Sequence, residues 1–139
     1  MADLPTFVLG SFALLDYLQD RPAAPRIETL LENAKKEKCR LMISIINLGE
    51  ILHITEQRCG LSTAHGALAL IQQLPIEVRP ADEKAVFSAA HIKANYAISF
   101  TDSFMVAAEV EKDAVILTHD PEFESTKLIV RVEWLQRVD

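Results

Sequence analysis

Glu50, Asp102 and Asp120 are the residues whose types and positions suit chemistry best, because each is expected where a strand hands over to a helix. A fourth position of the same kind holds Gly10. Two unit charges about 4 Å apart repel by about 4 kcal/mol at an effective dielectric near 20, so gathered carboxylates need a cation or a shared proton. Oxygen ligands select hard metals: Mg²⁺ takes one or two carboxylates plus waters and phosphate oxygens, and Mn²⁺ accepts a similar set. Such a centre suits phosphodiester hydrolysis, in which the ion polarises the phosphoryl group, lowers the pKa of a bound water and stabilises the leaving oxygen. Taken singly, each acid has an ordinary explanation. Asp120 is a good N-cap before Pro121, Asp102 in a first helical turn gains roughly 0.3–1 kcal/mol from the dipole, and Glu50 is a solvated helix former.

The elements that must position these acids follow from local patterns. Thr6 to Leu9 is a short β-prone run ending at Gly10, and Ser11 opens an apolar helix through Phe12, Leu14, Leu15 and Leu18. After the break at Pro22 to Pro25, Ile27, Leu30, Leu31 and Ala34 mark a second helix. Leu41-Met42-Ile43 predicts a strand covered on both faces, and Ser44 caps a helix that carries Glu50 and runs to about Cys59. Gly60 closes that helix, and Ala64, Ala67, Leu68, Ile71 and Leu74 form the stripe of the next, which Pro75 ends. Ile76 to Arg79 alternates as an edge strand does, and Asp82 caps a helix with Val86, Ala89 and Ala90. Thr101 or Asp102 then starts an Ala- and Val-rich helix, Val115-Ile116-Leu117 is a strand, and Leu128-Ile129-Val130 is expected to be the last one. Strands alternating with helices predict a single three-layer α/β/α domain over residues 1–139 with a parallel sheet of about five strands. In such sheets ligands bind outside the carboxyl ends of the strands, where the acids are expected.

At 139 residues the chain can bury roughly 68–70% of its unfolded surface without staples. Half of its residues are hydrophobic, yet no apolar run approaches the roughly 18 residues of a membrane span, and the first residues, with Asp3 and Pro5, lack the layout of a secretory signal. No membrane association and a cytoplasmic location are expected. Cys39 and Cys59 stand alone, outside any zinc or disulfide pattern. A net charge of −6 argues against a broad basic face for duplex nucleic acid but leaves room for a local site. The densest basic run, Lys35, Lys36, Lys38 and Arg40, is expected at a helix end, solvated and favoured by the dipole.

In order, the motifs Val8-Leu9-Gly10-Ser11-Phe12-Ala13-Leu14-Leu15, Ser44 to Glu50, Ser99-Phe100-Thr101-Asp102-Ser103 with Ala107 and Ala108, and Leu117-Thr118-His119-Asp120-Pro121-Glu122-Phe123 resemble the PIN-domain family over nearly the whole chain. The likeness is greatest to the VapC-like toxins of toxin–antitoxin pairs. It implies a PIN-like fold and a Mg²⁺- or Mn²⁺-dependent endoribonuclease acting on RNA such as transfer or ribosomal RNA. It also implies a homodimer silenced by a cognate VapB-like antitoxin. Carried across, Glu50, Asp102 and Asp120 are the catalytic metal ligands, and Ser11, Asn47 and Thr118 support the pocket through hydrogen bonds; Ser11 also reads as a plain helix cap. The departure is Gly10, which supplies no carboxylate where the family's first motif has Asp. Weakened or absent activity is the expectation. Asp16 lies well over one turn further, at about 1.5 Å rise per residue, and does not replace it.

Among the remaining candidates, Glu122 is an accessory acid in the Asp120 loop, and His119 is expected to turn away. His53, His65 and His91 lack metal-ligand spacing; Arg58 and Lys93 suit phosphate but are not placed by spacing. Two other functions compete. One is a catalytically inactive PIN-fold interaction module, whose acidic pocket would hold an arginine of an antitoxin or other partner. The other is a receiver-like signalling domain, which fits poorly because its paired acids after the first strand are absent.

Overall fold

The computed structural model describes residues 4–136; the first residues, Asp3 included, therefore lie outside the description. The elements run β1 (Thr6–Leu9), α1 (Ser11–Leu18), α2 (Ala24–Lys35), β2 (Arg40–Ser44), α3 (Ile45–Cys59), α4 (Leu61–Gln72), β3 (Glu77–Arg79), α5 (Glu83–Asn95), α6 (Phe100–Lys112), β4 (Val115–Thr118), a 3₁₀ helix (Pro121–Thr126) and β5 (Arg131–Trp134). All strand pairings are parallel, in the order β3-β2-β1-β4-β5.

The two-residue period of the strands divides the core. Val8, Met42 and Ile116 face Ile92, Met105 and Val106 from α5 and α6. Their neighbours Leu9, Leu41 and Leu117 face Ala13, Ile27, Leu30 and Leu31 from α1 and α2. Ile43 packs with Leu14, Leu48 and Ile51 on α1 and α3. Helices therefore cover both faces, and the expected α/β/α layering is what the chain adopts. Burying each such aliphatic side chain stabilises the fold by roughly 1.5–3 kcal/mol. The three central strands supply most of the sheet's share of that core.

Chain order sets where a crevice opens. From β1 the chain steps outward through β2 to β3, then returns to the other side of β1 with β4 and β5. The connections on either side of the β1–β4 pair thus diverge, which leaves a gap at the carboxyl ends of those two strands. Gly10 follows β1 there, and its N–H donates to Leu117 O at 3.4 Å.

Three local expectations need correction. The last strand is Arg131–Trp134, not Leu128-Ile129-Val130. Ile129 and Val130 donate their N–H groups to Thr126 O in a turn, and Leu128 is 91% exposed. A short edge strand is defined by its neighbour's open hydrogen bonds rather than by an apolar run. Arg40 opens β2 and pairs with Glu77 at 2.9 Å instead of closing the preceding helix. Helix α6 begins at Phe100, because the Ser99 hydroxyl accepts the Asp102 N–H at 3.1 Å and so acts as the cap. Cys39 is buried and Cys59 exposed, both as free thiols. No helix among the described residues is long and apolar enough to cross a membrane.

Candidate metal centre

Asp102 occupies the third position of α6, with its helix N-terminus beside the carboxyl end of the sheet. Asp120 follows β4 and caps the 3₁₀ helix, accepting the Glu122 N–H at 3.0 Å, while its own N–H donates to Thr118 Oγ1 at 3.0 Å. Glu122 in turn accepts the Ser99 N–H, so it spans from the β4 loop to the cap of α6. Together these contacts bring one carboxylate oxygen from each of Asp102, Asp120 and Glu122 within 4.8 Å of one another.

The supporting residues stand behind this trio. Asn47 Nδ2 donates to Ser11 Oγ at 3.1 Å and reaches Asp102 Oδ1 at 3.4 Å, and the Ser11 hydroxyl donates to Asn47 O at 3.2 Å. Ser11 is buried in the first turn of α1 and does not cap it; the cap position is Gly10. Asn47 is fully buried, and its Oδ1 has no hydrogen-bond partner among the described residues. Glu50, half-buried one turn along α3, falls outside the trio, yet its charge acts on Asp102.

Burial, then the charges of Glu122, Glu50 and Asp120, push the Asp102 carboxyl from its ordinary 3.8 up to about 7; the Asn47 hydrogen bond opposes this. A helix N-terminus favours a nearby anion by roughly 0.3–1 kcal/mol, so burial and like charge outweigh the dipole here. A cation in the middle of the carboxylates would reverse the balance. The donors fit a hard divalent ion: at least three carboxylates converge, one has its pKa raised to about 7 by burial and by the others, and a buried amide oxygen is left without a partner among the described residues.

Gly10 has φ −81° and ψ 167°, extended backbone open to any L-residue. A Cβ placed on it would lie 3.0 Å from Met105 Cε and 3.4 Å from Met105 Sδ. A Cβ there requires only that the flexible thioether end yield by a few tenths of an ångström.

Sequence reasoning ranked Glu122 as an accessory, whereas it is one of the three converging acids. Its reach depends on the turn that carries it back to Ser99. The cap was missed as well, although Ser99-Phe100-Thr101-Asp102 has the spacing of a serine cap followed by an acid. His119 points to α1, where its Nε2 lies 3.1 Å from Asp16 Oδ2 and its ring 6.2 Å from that of Phe12.

Fold and site thus define a three-layer α/β/α domain with an acidic crevice at the switch point of a parallel sheet. The PIN domain family model matches residues 9–128, and the chain belongs to that family. Among solved structures, the fold is similar to a chain of the DNA-bound VapBC2 complex from Rickettsia felis, with a TM-score of 0.72, 16% identity, and coverage of 94% of this chain and 99% of that one. The DNA-bound VapBC of Salmonella typhimurium gives a TM-score of 0.72 at 19% identity, covering 94% and 98%. Mycobacterium tuberculosis VapC20, a sarcin-ricin loop cleaving toxin, gives 0.58 at 21% identity, covering 80% and 86%. At these identities the likeness is one of fold. No curated protein sequence matches the chain.

Proposed function

We propose that this chain is a divalent-metal-dependent endoribonuclease of the VapC toxin kind, weakened by Gly10, acting in the cytoplasm as a homodimer under the control of a VapB-like antitoxin. The observation that carries the reading is the convergence of Asp102, Asp120 and Glu122 within 4.8 Å, with Asp102 raised to about 7 by burial and then by its anionic neighbours. Family membership and the fold shared with a sarcin-ricin loop cleaving toxin support RNA as substrate.

In this reading Asp102, Asp120 and Glu122 hold Mg²⁺ or Mn²⁺, and Glu50 completes the negative field from α3. The bound ion would activate water and neutralise charge on the phosphoryl group. Thr118 fixes the Asp120 loop, Ser99 ties Glu122 to α6, and Ser11 with Asn47 holds the Asp102 carboxylate toward the centre. Gly10 supplies neither ligand nor base on the β1 side, so a bound ion would have water there in place of a carboxylate. Affinity and positioning both suffer.

A second reading keeps the pocket and drops the chemistry: a PIN-fold module that binds an antitoxin through an arginine inserted among the acids. The specific observation in its favour is the Met105 methyl group packed where a side chain at position 10 would begin.

Calorimetric titration with Mn²⁺ and cleavage of an unstructured RNA, each with the chain as it stands and with Gly10→Asp, separate the two. The nuclease reading expects Mn²⁺ binding by both proteins and chelator-sensitive cleavage at least about ten-fold faster in the variant, given what a positioned metal ligand contributes. Absence of Mn²⁺ binding and of cleavage in both proteins would leave the module as the function.

A further inference from the structure

A hollow of about 280 Å³ is lined by Phe12, Leu15, Asp16, Gln19, Arg21, Arg58 and His119, the last of which precedes Asp120 in the chain. Its arginines are unusual in this molecule. Arg26, Arg40, Arg79 and Arg131 each form an ion pair with a carboxylate, whereas Arg21 and Arg58 form none among the described residues. Arg21 Nε donates only to the neutral Gln19 Oε1, at 2.8 Å. Among the described residues, the two arginines without an ion pair therefore line one hollow, in a chain of net charge −6. Its single carboxylate, Asp16, is 5% exposed and engaged by His119 Nε2 at 3.1 Å.

Phe12 is 44% exposed, a large apolar side chain left in solvent on the rim, and its ring is tilted 41° to the imidazole beside it. His119 precedes Asp120 directly, so the hollow begins one residue away from the acids. A polyanion approaching that acidic floor meets repulsion unless cations lie beside its path. Two guanidiniums without an ion pair among the described residues, lining the same hollow as an aromatic ring, are the combination that holds single-stranded nucleic acid: fork donors for a phosphate and a flat surface for a base.

We propose that this hollow is the subsite for the nucleotide adjoining the scissile bond in a single-stranded RNA. Arg21 and Arg58 bind its phosphate, Phe12 with His119 stacks its base, and Asp16 is a positioning residue that fixes the imidazole. The inference rests on the ribonuclease reading and extends it to substrate placement outside the metal centre.

The test is anisotropy of a short fluorescein-labelled oligouridylate bound to the full chain in EDTA, over a series of salt concentrations. Arg21→Gln and Arg58→Gln are each expected to reduce the slope of log affinity against log salt by about 0.7, the value for one contact to a single strand. Phe12→Ala weakens binding by about ten-fold with the slope unchanged, since stacking carries no charge. Asp16→Asn gives a smaller loss than Phe12→Ala, also without a change of slope. The exposed Lys35→Gln at the end of α2 leaves both quantities unchanged. Thermal melts exclude misfolding, and the glutamine variants alter only exposed side chains. Slopes unchanged in both arginine variants, or an equal change in Lys35→Gln, overturn the subsite. Failure of the chain as it stands to bind the RNA does so too. None of these outcomes touches the metal centre, because Mn²⁺ titration involves none of these residues.

Discussion

Asp102 and Glu109 stand two turns apart on α6, and both carboxyls are pushed up to about 7, yet the two ends of this helix are built for different purposes. Burial is the leading cause in each. Around Asp102 the next contributions come from Glu122, Glu50 and Asp120, all of the same sign, at a crevice between diverging connections. Around Glu109 they come chiefly from Arg131, whose backbone and guanidinium favour the anion and partly offset burial. Glu109 is 4% exposed and its Oε2 has no partner among the described residues. A raised carboxyl therefore does not by itself mark a site. What marks one is the company of other acids, because only mutual repulsion makes a cation the favourable remedy.

The largest expected contrast between these ends is in metal affinity. Asp102→Asn should weaken Mn²⁺ binding by about 100-fold or more in calorimetry, since removing even an outer partner of a ligand costs about 10–100-fold. Glu109→Gln should leave it unchanged. A loss of Mn²⁺ affinity in Glu109→Gln would merge the two ends and break the comparison.

A smaller effect should appear in the pH dependence of that affinity. The ion must displace the proton on Asp102, so binding weakens by about ten-fold for each pH unit below about 7 and levels off above it. Mn²⁺ titrations from pH 5.5 to 8.5, a range of about three units chosen to bracket that value, would show the bend. A flat profile would mean that the acids do not share a proton.

Stability should show the smallest effect. In the metal-free chain both folded-state values lie above the ordinary 3.8 of Asp102 and 4.5 of Glu109. The folded state then binds more protons than the unfolded one between about pH 4 and 7, so this stabilising contribution is complete below about 4, falls as pH rises, and is lost above about 7. Glu109→Gln removes its share of the slope and should raise the melting temperature by about 2–4 °C at pH 8 while changing little at pH 4. Saturating Mn²⁺ should remove the share due to Asp102 and leave that due to Glu109. Equal suppression of both by the metal would contradict the assignment of one end to chemistry.

How far the sequence could be read follows the same division. Strands β1, β2 and β4 were legible because continuous apolar runs such as Leu41-Met42-Ile43 need cover on both faces. The caps Ser44, Asp82 and Asp120 were legible because capping is a matter of two or three residues. The last strand was misplaced onto the apolar residues 128–130, because the true one, Arg131–Trp134, is defined by hydrogen bonding to β4. Glu109 carried no warning, since a glutamate seven residues after Asp102 looks like any solvated helix former until the packing of α6 buries it.

The chain by itself determined the alternation of strands and helices, the strand ends where acids collect, and the absence of a carboxylate at position 10, because these depend on residue type and near neighbours. Tertiary structure alone decided that Glu122 rather than Glu50 joins Asp102 and Asp120, that Met105 packs against Gly10, and that Arg21 and Arg58 share a hollow with Phe12. Those relations join residues from different elements, and only the order in which a parallel sheet assembles sets the distances between them.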